Sequence, residues 1–218
     1  MNTKGLSMFY YKLLQCFYNP LVWMFTRTKF YGECNVLKDT KAIYVCNHTS
    51  AYDCFMFFTK FFRRNKIYIL SKAEVFTKLF KSKLMNKILL KGGVIPIRRG
   101  EADIENVKRV MSAINSGEPV FMFPEGTRNT GDTKEFLQFK PGAALFAIKT
   151  GAPVIPVVYS SKTGFFKRTS CKIGAPFYLN EFNGKCTKAN LQEGTQKIYD
   201  KMKDTQRELF ELIEKENN

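Results

Sequence analysis

One histidine stands in this chain of 218 residues, and it lies in a stretch whose residue types suit acid–base chemistry. The stretch is CNHTSAYD, in which His48 is followed five positions later by Asp53. An imidazole titrates near neutral pH, and a carboxylate beside it can hold one tautomer and stabilise the imidazolium. The pair therefore fits a general base that removes a proton from a hydroxyl group.

The same spacing also has a purely structural explanation. The apolar run AIYV before the stretch predicts a strand, and the residues after it predict a helix. Ser50 is a favoured N-cap residue, and Asp53 then falls at the third helical position, which is close to a capping box. At this level Asp53 is either the partner of His48 or a helix-capping acid.

Two further stretches place cations after predicted strands. GGVIPIRRG ends on Arg98 and Arg99, and either guanidinium can bind a phosphate through two hydrogen bonds. The other stretch, FPEGTRN, carries four consecutive turn residues: Glu125, Gly126, Thr127 and Arg128. These four form an ordinary polar turn, or else Arg128 binds an oxyanion while Glu125 orients it or bonds a substrate hydroxyl.

The elements that must position these residues alternate along the chain. Helical spacing predicts helices between apolar runs, with a long charged one over about 188–217. Strands this apolar, separated by helices, predict an α/β fold with a mainly parallel sheet flanked by helices. Pro156 predicts that its own strand lies at an edge or carries a bulge. The strands are expected at residues 42–47, 66–70, 93–97, 119–123, 153–159 and 171–179.

Residues 1–32 differ in pattern from residues 33–218, which form the main domain. Two apolar pieces are separated by Asn19-Pro20, and each is too short to span a bilayer. They predict an N-terminal two-helix motif, either packed on the domain or anchored in one leaflet of a membrane. The lysine-rich stretch 76–91 predicts a solvated helix or a second membrane contact.

The composition narrows the classes of partner. The net charge of +16 predicts an anionic partner, and a hydrophobic fraction of 44% excludes global disorder. No motif of a nucleic-acid-binding module is present. The six cysteines form no C-x-x-C pair and have no second histidine, so we expect no metal site and reduced thiols, as in the cytoplasm.

In this order and at these spacings, the motifs resemble the glycerophospholipid acyltransferase family, in particular 1-acylglycerol-3-phosphate acyltransferases of bacterial type. The resemblance runs from about Ala42 to Val158 and includes SKAEVF and FKPGAALFAIKTGAPVIPV. It implies a glycerol-3-phosphate acyltransferase-like fold. It also implies that a fatty acyl group passes from acyl-CoA or acyl-carrier protein to the sn-2 hydroxyl of lysophosphatidic acid, which gives phosphatidic acid.

The resemblance also implies roles for individual residues. His48 is the base, Asp53 supports it, and no metal or cofactor takes part. The residues placed on the glycerol phosphate are Glu125, Gly126, Thr127, Arg128, Arg99 and Lys72. Arg98 stands where many family members carry Asp, so either Arg98 or Arg99 faces the phosphate. Neither Cys46 nor Cys54 is expected to form an acyl-enzyme, because neither is positioned for hydrogen bonding to His48.

Three alternatives remain open at the level of sequence. In the first, the chain is an acyltransferase whose acceptor is glycerol 3-phosphate or another lysophospholipid instead of lysophosphatidic acid. In the second and third, it is a non-catalytic basic protein that binds membranes or nucleic acid, respectively. For the acyltransferase we expect attachment to the cytoplasmic face of the cell membrane, as a monotopic or peripheral protein on an anionic surface.

Overall fold

Seven strands and six α-helices are present in the described part of the chain. The computed structural model describes residues 3–25, 27–37, 40–62, 65–72, 82–97, 104–132, 134–164 and 166–217. The helices α1 to α6 are Thr3–Phe25, Asp53–Phe61, Lys83–Lys91, Ile104–Asn115, Gly142–Thr150 and Lys188–Asn217. The strands β1 to β7 are Arg27–Tyr31, Ile43–Cys46, Tyr68–Lys72, Val94–Ile97, Val120–Met122, Val154–Tyr159 and Arg168–Ile173.

One sheet contains all the described strands, in the order β1-β7-β6-β2-β5-β3-β4. Neighbouring strands run parallel except β6 and β7, which are antiparallel. The carboxyl ends of β2 to β6 therefore lie along one edge of the sheet, together with the first residues of β1 and β7. We name this the carboxyl edge, and it is where open α/β sheets bind ligands. The predicted α/β fold with a mainly parallel sheet flanked by helices is confirmed.

The central strands are buried on both faces, which explains their almost uninterrupted apolar sequence. In β2, Ile43 and Val45 belong to the core cluster that includes residues of α4, α5 and α6. Tyr44 and Cys46 belong to the opposite cluster, with residues of α1 and α2. This alternation is the period of two of a strand, and packing on both faces fixes where each strand ends.

Helix α1 is one helix, which corrects the prediction of two helices broken at Asn19-Pro20. A proline removes one backbone donor and bends a helix, but contacts with neighbouring elements can keep the helix intact. Here the side chain of Gln15 donates to the carbonyl oxygen of Phe62 at 2.7 Å, and Asn19 accepts a hydrogen bond from Thr59 at 3.0 Å. Among the described residues, no helix has the length and apolarity needed to cross a bilayer.

Strand β1 lies inside the segment 1–32 that the sequence set apart. It pairs along its whole length with β7, so residues 27–31 belong to the sheet. Its sequence, RTKFY, lacks the apolar run that marks the other strands. The side chains of Lys29 and Tyr31 both donate to the carboxylate of Glu216, at 2.6 and 2.7 Å, which joins this outer strand to the end of α6.

Strand β6 is an interior strand between β2 and β7, so Pro156 does not mark an edge. A bulge is present beside it, because the chain after β7 pairs again through Phe177 and Val154 one residue out of register. The carbonyl oxygen of Pro156 accepts a hydrogen bond from the N–H of Gly174, which places the proline nitrogen on the β7 side. The regular pairing of β6 with β7 ends at Val157 and Ile173, and pairing resumes at Val154 and Phe177. The missing N–H therefore falls where the pairing changes register.

The predicted helix ends agree with the structure where the sequence carries a strong signal for the end of a helix. Helix α6 covers the predicted range, and α5 ends at Gly151, whose φ of 59° is the left-handed conformation that glycine favours. Strand β7 starts and ends earlier than the predicted 171–179. Of the lysine-rich stretch 76–91, residues 76–81 lie outside the described part of the chain, and Lys83–Lys91 form α3.

Candidate active site

The loop after β2 carries His48 to the carboxyl edge. Val45 of β2 lies opposite Met122 of β5, so the residues that follow these two parallel strands meet. The imidazole of His48 stacks on the ring of Phe123, with 3.8 Å between ring centroids and 18° between planes. The histidine side chain is 19% exposed, so the ring is held on one face and still reaches solvent.

His48 and Asp53, which the sequence paired, are in contact. Nδ1 of His48 lies 3.2 Å from Oδ2 of Asp53. A proton on Nδ1 donates to this carboxylate, which leaves Nε2 without a proton and able to accept one. The geometry is that of a histidine base with an orienting acid.

Asp53 is fully buried, and its carboxylate is surrounded by donors. Besides the imidazole, Oδ2 accepts the backbone N–H groups of Thr49 and Ser50, both at 2.8 Å. The other oxygen, Oδ1, accepts the hydroxyls of Thr49 at 3.0 Å and Thr163 at 2.6 Å. Burying a carboxylate costs free energy unless its lone pairs are satisfied, and these donors satisfy them.

The capping role proposed for Asp53 is present only in part. Helix α2 begins at Asp53, so this residue is the first of the helix rather than the third. The Ser50 hydroxyl accepts the N–H of Tyr52 at 3.2 Å instead of an N–H further along the helix. Asp53 still accepts the N–H of Ser50, which is the backward half of a capping box. The same carboxylate thus serves the helix start and the histidine.

Glu125 is a second buried carboxylate beside His48, and it contacts the backbone. Its two oxygens accept the N–H groups of His48 and Leu137, each at 2.9 Å. Burial raises the pKa of Glu125 above its usual value, and the two N–H donors oppose that shift. Glu125 therefore ties the histidine loop to the loop after β5. Its contact with a substrate or with Arg128 stays a prediction.

The FPEGTRN segment forms the predicted β-turn. The N–H of Gly126 donates to the carbonyl oxygen of Phe123 at 3.0 Å, and Gly126 has a φ of 62°, which a side chain would disfavour. Thr127 is half-buried and Arg128 is exposed. The N–H of Asn129 donates to the carbonyl oxygen of His48 at 2.7 Å. The turn is thus anchored to the histidine loop on both sides of Arg128.

Of the predicted phosphate-binding cations, Lys72 lies on the β5 side of His48. Lys72 is the last residue of β3 and is half-buried. Arg98 and Arg99 directly follow the end of β4 in sequence and lie outside the described residues. Strands are spaced by about 4.8 Å, so β3 is about 10 Å from β2 along the edge. Lys72 therefore lies at the carboxyl edge two strands from the histidine loop, and the contact of Lys72 and Arg128 with a phosphate stays a prediction.

Three residues of the site were missed by the sequence. Thr49 and Thr163 donate to Asp53, and Phe123 stacks under His48. Thr49 lies between the two recognised residues, so its position was a usable signal. Thr163 comes from the loop after β6, and nothing in its local sequence points to Asp53. In the part of the chain that the structure describes, no group of three histidine, cysteine or acidic residues is placed to hold a metal ion.

The chain is an α/β protein whose mainly parallel sheet presents a histidine–carboxylate pair beside a turn that carries an arginine. This class of site can deprotonate a hydroxyl next to an anionic group. Residues 27–160 match the family model described as Acyltransferase. The chain belongs to this acyltransferase family, as its motifs indicated. The matched range runs from β1 to just beyond β6 and contains both His48 and Asp53.

Individual relatives of the chain are 1-acyl-sn-glycerol-3-phosphate acyltransferases. A chloroplast 1-acyl-sn-glycerol-3-phosphate acyltransferase of Brassica napus is 32% identical over 139 residues, which are 62% of this chain and 38% of that protein. The 1-acyl-sn-glycerol-3-phosphate acyltransferase of Bacillus subtilis is 27% identical over 189 residues, 84% of this chain and 90% of that protein. The match to a chloroplast 1-acyl-sn-glycerol-3-phosphate acyltransferase of Arabidopsis thaliana covers 32% of that protein. The chain therefore spans about a third of the length of these two plant proteins.

A solved structure has the same fold. The crystal structure of the 1-acyl-sn-glycerophosphate acyltransferase PlsC from Thermotoga maritima aligns with a TM-score of 0.62 and 21% identity. The alignment covers 96% of this chain and 79% of that one. At this identity the likeness establishes the architecture, and the chemistry must be argued from the residues of the site.

Proposed function

We propose that this chain is a 1-acyl-sn-glycerol-3-phosphate O-acyltransferase of phospholipid biosynthesis. It moves a fatty acyl group from acyl-CoA or acyl-carrier protein to the sn-2 hydroxyl of lysophosphatidic acid. The observation that carries the proposal is the contact between His48 and Asp53 at the carboxyl edge, with Nε2 left to accept a proton. The names of the relatives supply the substrate class.

The mechanism is direct attack by the acceptor. Nε2 of His48 takes the proton of the sn-2 hydroxyl while its oxygen attacks the thioester carbonyl, and Asp53 stabilises the imidazolium. The tetrahedral intermediate then collapses and breaks the carbon–sulfur bond. His48 returns the proton to the departing thiolate, which leaves as a free thiol, and the base is regenerated.

The buried thiols near the site support attack without an acyl-enzyme. Cys46 is fully buried, and burial raises the pKa of its thiol well above the usual value. Burial likewise raises the pKa of Cys54 to about 12. A protonated thiol is a poor nucleophile, so neither cysteine is activated for acyl transfer.

The acceptor phosphate is assigned to the predicted cations of the carboxyl edge. Arg128 and Lys72 lie at the carboxyl edge, and Arg98 or Arg99 follows the neighbouring β4. Guanidinium groups bind phosphate through paired, charge-assisted hydrogen bonds. Because the phosphate of lysophosphatidic acid is attached to the same glycerol as its sn-2 hydroxyl, binding it there brings that hydroxyl toward Nε2 of His48.

We also propose that α1 and α3, which pack together, bind an anionic membrane surface. Phe9 on α1 is 56% exposed and Leu84 on α3 is 66% exposed. Exposed lysines on α3, Lys83 and Lys87, add attraction of about 1 kcal/mol each near anionic lipid. The protein then lies on the cytoplasmic face of the cell membrane, peripheral or monotopic, with access to a lipid acceptor.

The proposed function is tested with purified protein, lysophosphatidic acid and an acyl thioester. We expect release of free thiol that depends on the acceptor and that His48→Ala abolishes while thermal unfolding stays near wild type. Glycerol 3-phosphate and other lysophospholipids are assayed in parallel, since a faster rate with one of them would reassign the acceptor. Absence of acceptor-dependent release with every acceptor contradicts the proposal.

A further inference from the structure

A second group of cations lies at the carboxyl edge, around a cavity of about 470 Å³. Ser161 and Lys162 follow β6, and Arg168 is the first residue of β7. We name this cavity the β6–β7 pocket. The residues that line it are Gly131, Asp132, Ser161, Lys162, Lys167 and Arg168.

The β6–β7 pocket lies on the opposite side of His48 from Lys72, one of the cations assigned to the acceptor. In the sheet, β2 has β5, β3 and β4 on one side, and β6 and β7 on the other. Lys72 ends β3 on the first side, whereas Lys162, Lys167 and Arg168 belong to the second. The histidine therefore stands between Lys72 and the cations of the pocket.

The wall of the pocket is joined directly to the catalytic pair. Thr163, next to Lys162, donates to Oδ1 of Asp53. In the loop that leads to Gly131, the backbone N–H of Asn129 donates to the carbonyl oxygen of His48. Gly131 is two residues beyond Asn129, a span of at most about 7 Å. A molecule in the pocket is therefore close enough to extend to His48.

The charge of the pocket favours an anion. Lys167 and Arg168 are exposed. The ammonium of Lys162 donates to the carbonyl oxygen of Thr130 at 2.9 Å, which leaves it further protons to donate. The one acid, Asp132, accepts the N–H of Lys134 at 2.9 Å, so part of its hydrogen-bonding capacity is already used. Three cations against one acid are a suitable site for a phosphate group.

We propose that the β6–β7 pocket binds the phosphate at the far end of the pantetheine arm of the acyl donor. The inference rests on the proposed function, whose two substrates both carry phosphate. In the acceptor the phosphate is close to the reacting hydroxyl, whereas in the donor the pantetheine arm separates it from the thioester. Lys72 and the cations of the pocket, on opposite sides of one base, can hold the two phosphates apart. Acyl-CoA and acyl-carrier protein share the same phosphopantetheine phosphate, so the pocket serves either carrier.

The test compares Lys167→Gln and Arg168→Gln with a matched control, Lys149→Gln. Lys149 is also exposed, but it ends α5 just before β6 begins, at the opposite edge of the sheet. With acyl-CoA, each pocket variant should raise the KM for the donor roughly tenfold, the effect of one lost charge-assisted contact. The KM for lysophosphatidic acid should stay unchanged, and the control should behave as wild type.

A second donor isolates the phosphate. An acyl-N-acetylcysteamine thioester carries the reacting group without any phosphate, so the pocket variants should use it as well as the wild-type protein does. The inference is overturned if the KM for acyl-CoA is unchanged in both variants, or if the phosphate-free donor is affected equally. A rise in the KM for lysophosphatidic acid instead would show that the pocket holds the lipid phosphate, and this too overturns it.

Calorimetric titration with CoA separates failure of this inference from failure of the proposed function. We expect CoA to bind the wild-type protein and the Lys149→Gln control, and to bind the two pocket variants roughly tenfold more weakly. This pattern in a wild-type protein that releases no thiol would support the pocket and refute the proposed function. Thiol release with no difference in CoA affinity would refute the pocket alone.

Discussion

Replacing Asp53 by asparagine separates the charge of this side chain from its hydrogen bonds. The asparagine carbonyl can take the place of Oδ2, which accepts from His48 and from the N–H groups of Thr49 and Ser50. The asparagine NH₂ group then faces the hydroxyls of Thr49 and Thr163, and each hydroxyl can rotate to accept. We therefore expect Asp53→Asn to unfold near the wild-type temperature.

What the substitution removes is the negative charge beside the imidazolium of His48. Two unit charges 3.2 Å apart attract by about 5 kcal/mol at an effective dielectric constant of about 20. The histidine is 19% exposed, so solvent screens part of this attraction, and we expect a loss of about 3–5 kcal/mol in the transition state. This corresponds to a fall in kcat of roughly a hundred- to several-thousandfold.

Glu125→Gln is the matched control. Glu125 is also a buried carboxylate beside His48, but its oxygens contact backbone N–H groups and not the imidazole ring. Each of its oxygens accepts one backbone N–H, from His48 and from Leu137. A glutamine must turn its NH₂ group toward one of these donors and leave it unpaired. We expect this to lower the free energy of unfolding by about 1–3 kcal/mol.

The assay follows thiol release with lysophosphatidic acid and an acyl thioester, alongside thermal unfolding of both variants. Asp53→Asn should keep its melting temperature and lose turnover, and Glu125→Gln should lose melting temperature. Wild-type kcat in Asp53→Asn would refute the role of the charge. Equal destabilisation of the two variants would refute the argument from their hydrogen bonds.

Three other predictions concern the acceptor, the membrane and pH. Arg128→Ala should raise the KM for lysophosphatidic acid roughly ten- to a hundredfold, for the loss of about 1.5–3 kcal/mol, while thioester hydrolysis without acceptor stays unchanged; equal loss of both activities contradicts its assignment to the phosphate. Glutamate at the exposed Phe9 and Leu84 should reduce sedimentation with anionic vesicles without changing the melting temperature, and undiminished sedimentation contradicts the membrane contact. Burial lowers the pKa of Lys66 from 10.5 to about 8. Between these two pH values the unfolded chain holds a proton that the folded chain has lost, so the free energy of unfolding should rise with pH. Lys66→Met should flatten this rise in urea unfolding compared at about pH 8 and about pH 10, and an unaltered slope contradicts the assignment.

The sheet and the histidine–aspartate contact could be predicted because each depends on residues that are close together in the sequence. Apolar runs such as β2 identify strands buried on both faces, and a parallel sheet brings their carboxyl ends together. His48 and Asp53 are close in sequence, so one helix start is enough to join them. Their contact is therefore where the sequence was most informative.

The remaining features depend on contacts between distant segments. Thr163 reaches Asp53 only because β6 lies next to β2, and no local pattern encodes that contact. Strand β1 is held by β7 rather than by its own apolarity. Pro156 lies in an interior strand because its missing donor falls where the pairing with the chain after β7 changes register. In each case the pairing of strands overrides the local preference of the residue.

The pairing of β1 with β7 also sets the order in which the sheet can be completed. Arg27 pairs with Arg168, so this outer strand finds its neighbour only after nearly the whole domain has been synthesised. Closing so long a loop costs entropy before any pairing is gained, and contacts of this kind slow folding. During translation, which proceeds from the N-terminus, α1 and β1 emerge early and wait without their final partner. Among the described strands, β1 is thus made before the others but can be paired only after β7, the last of them, has been made.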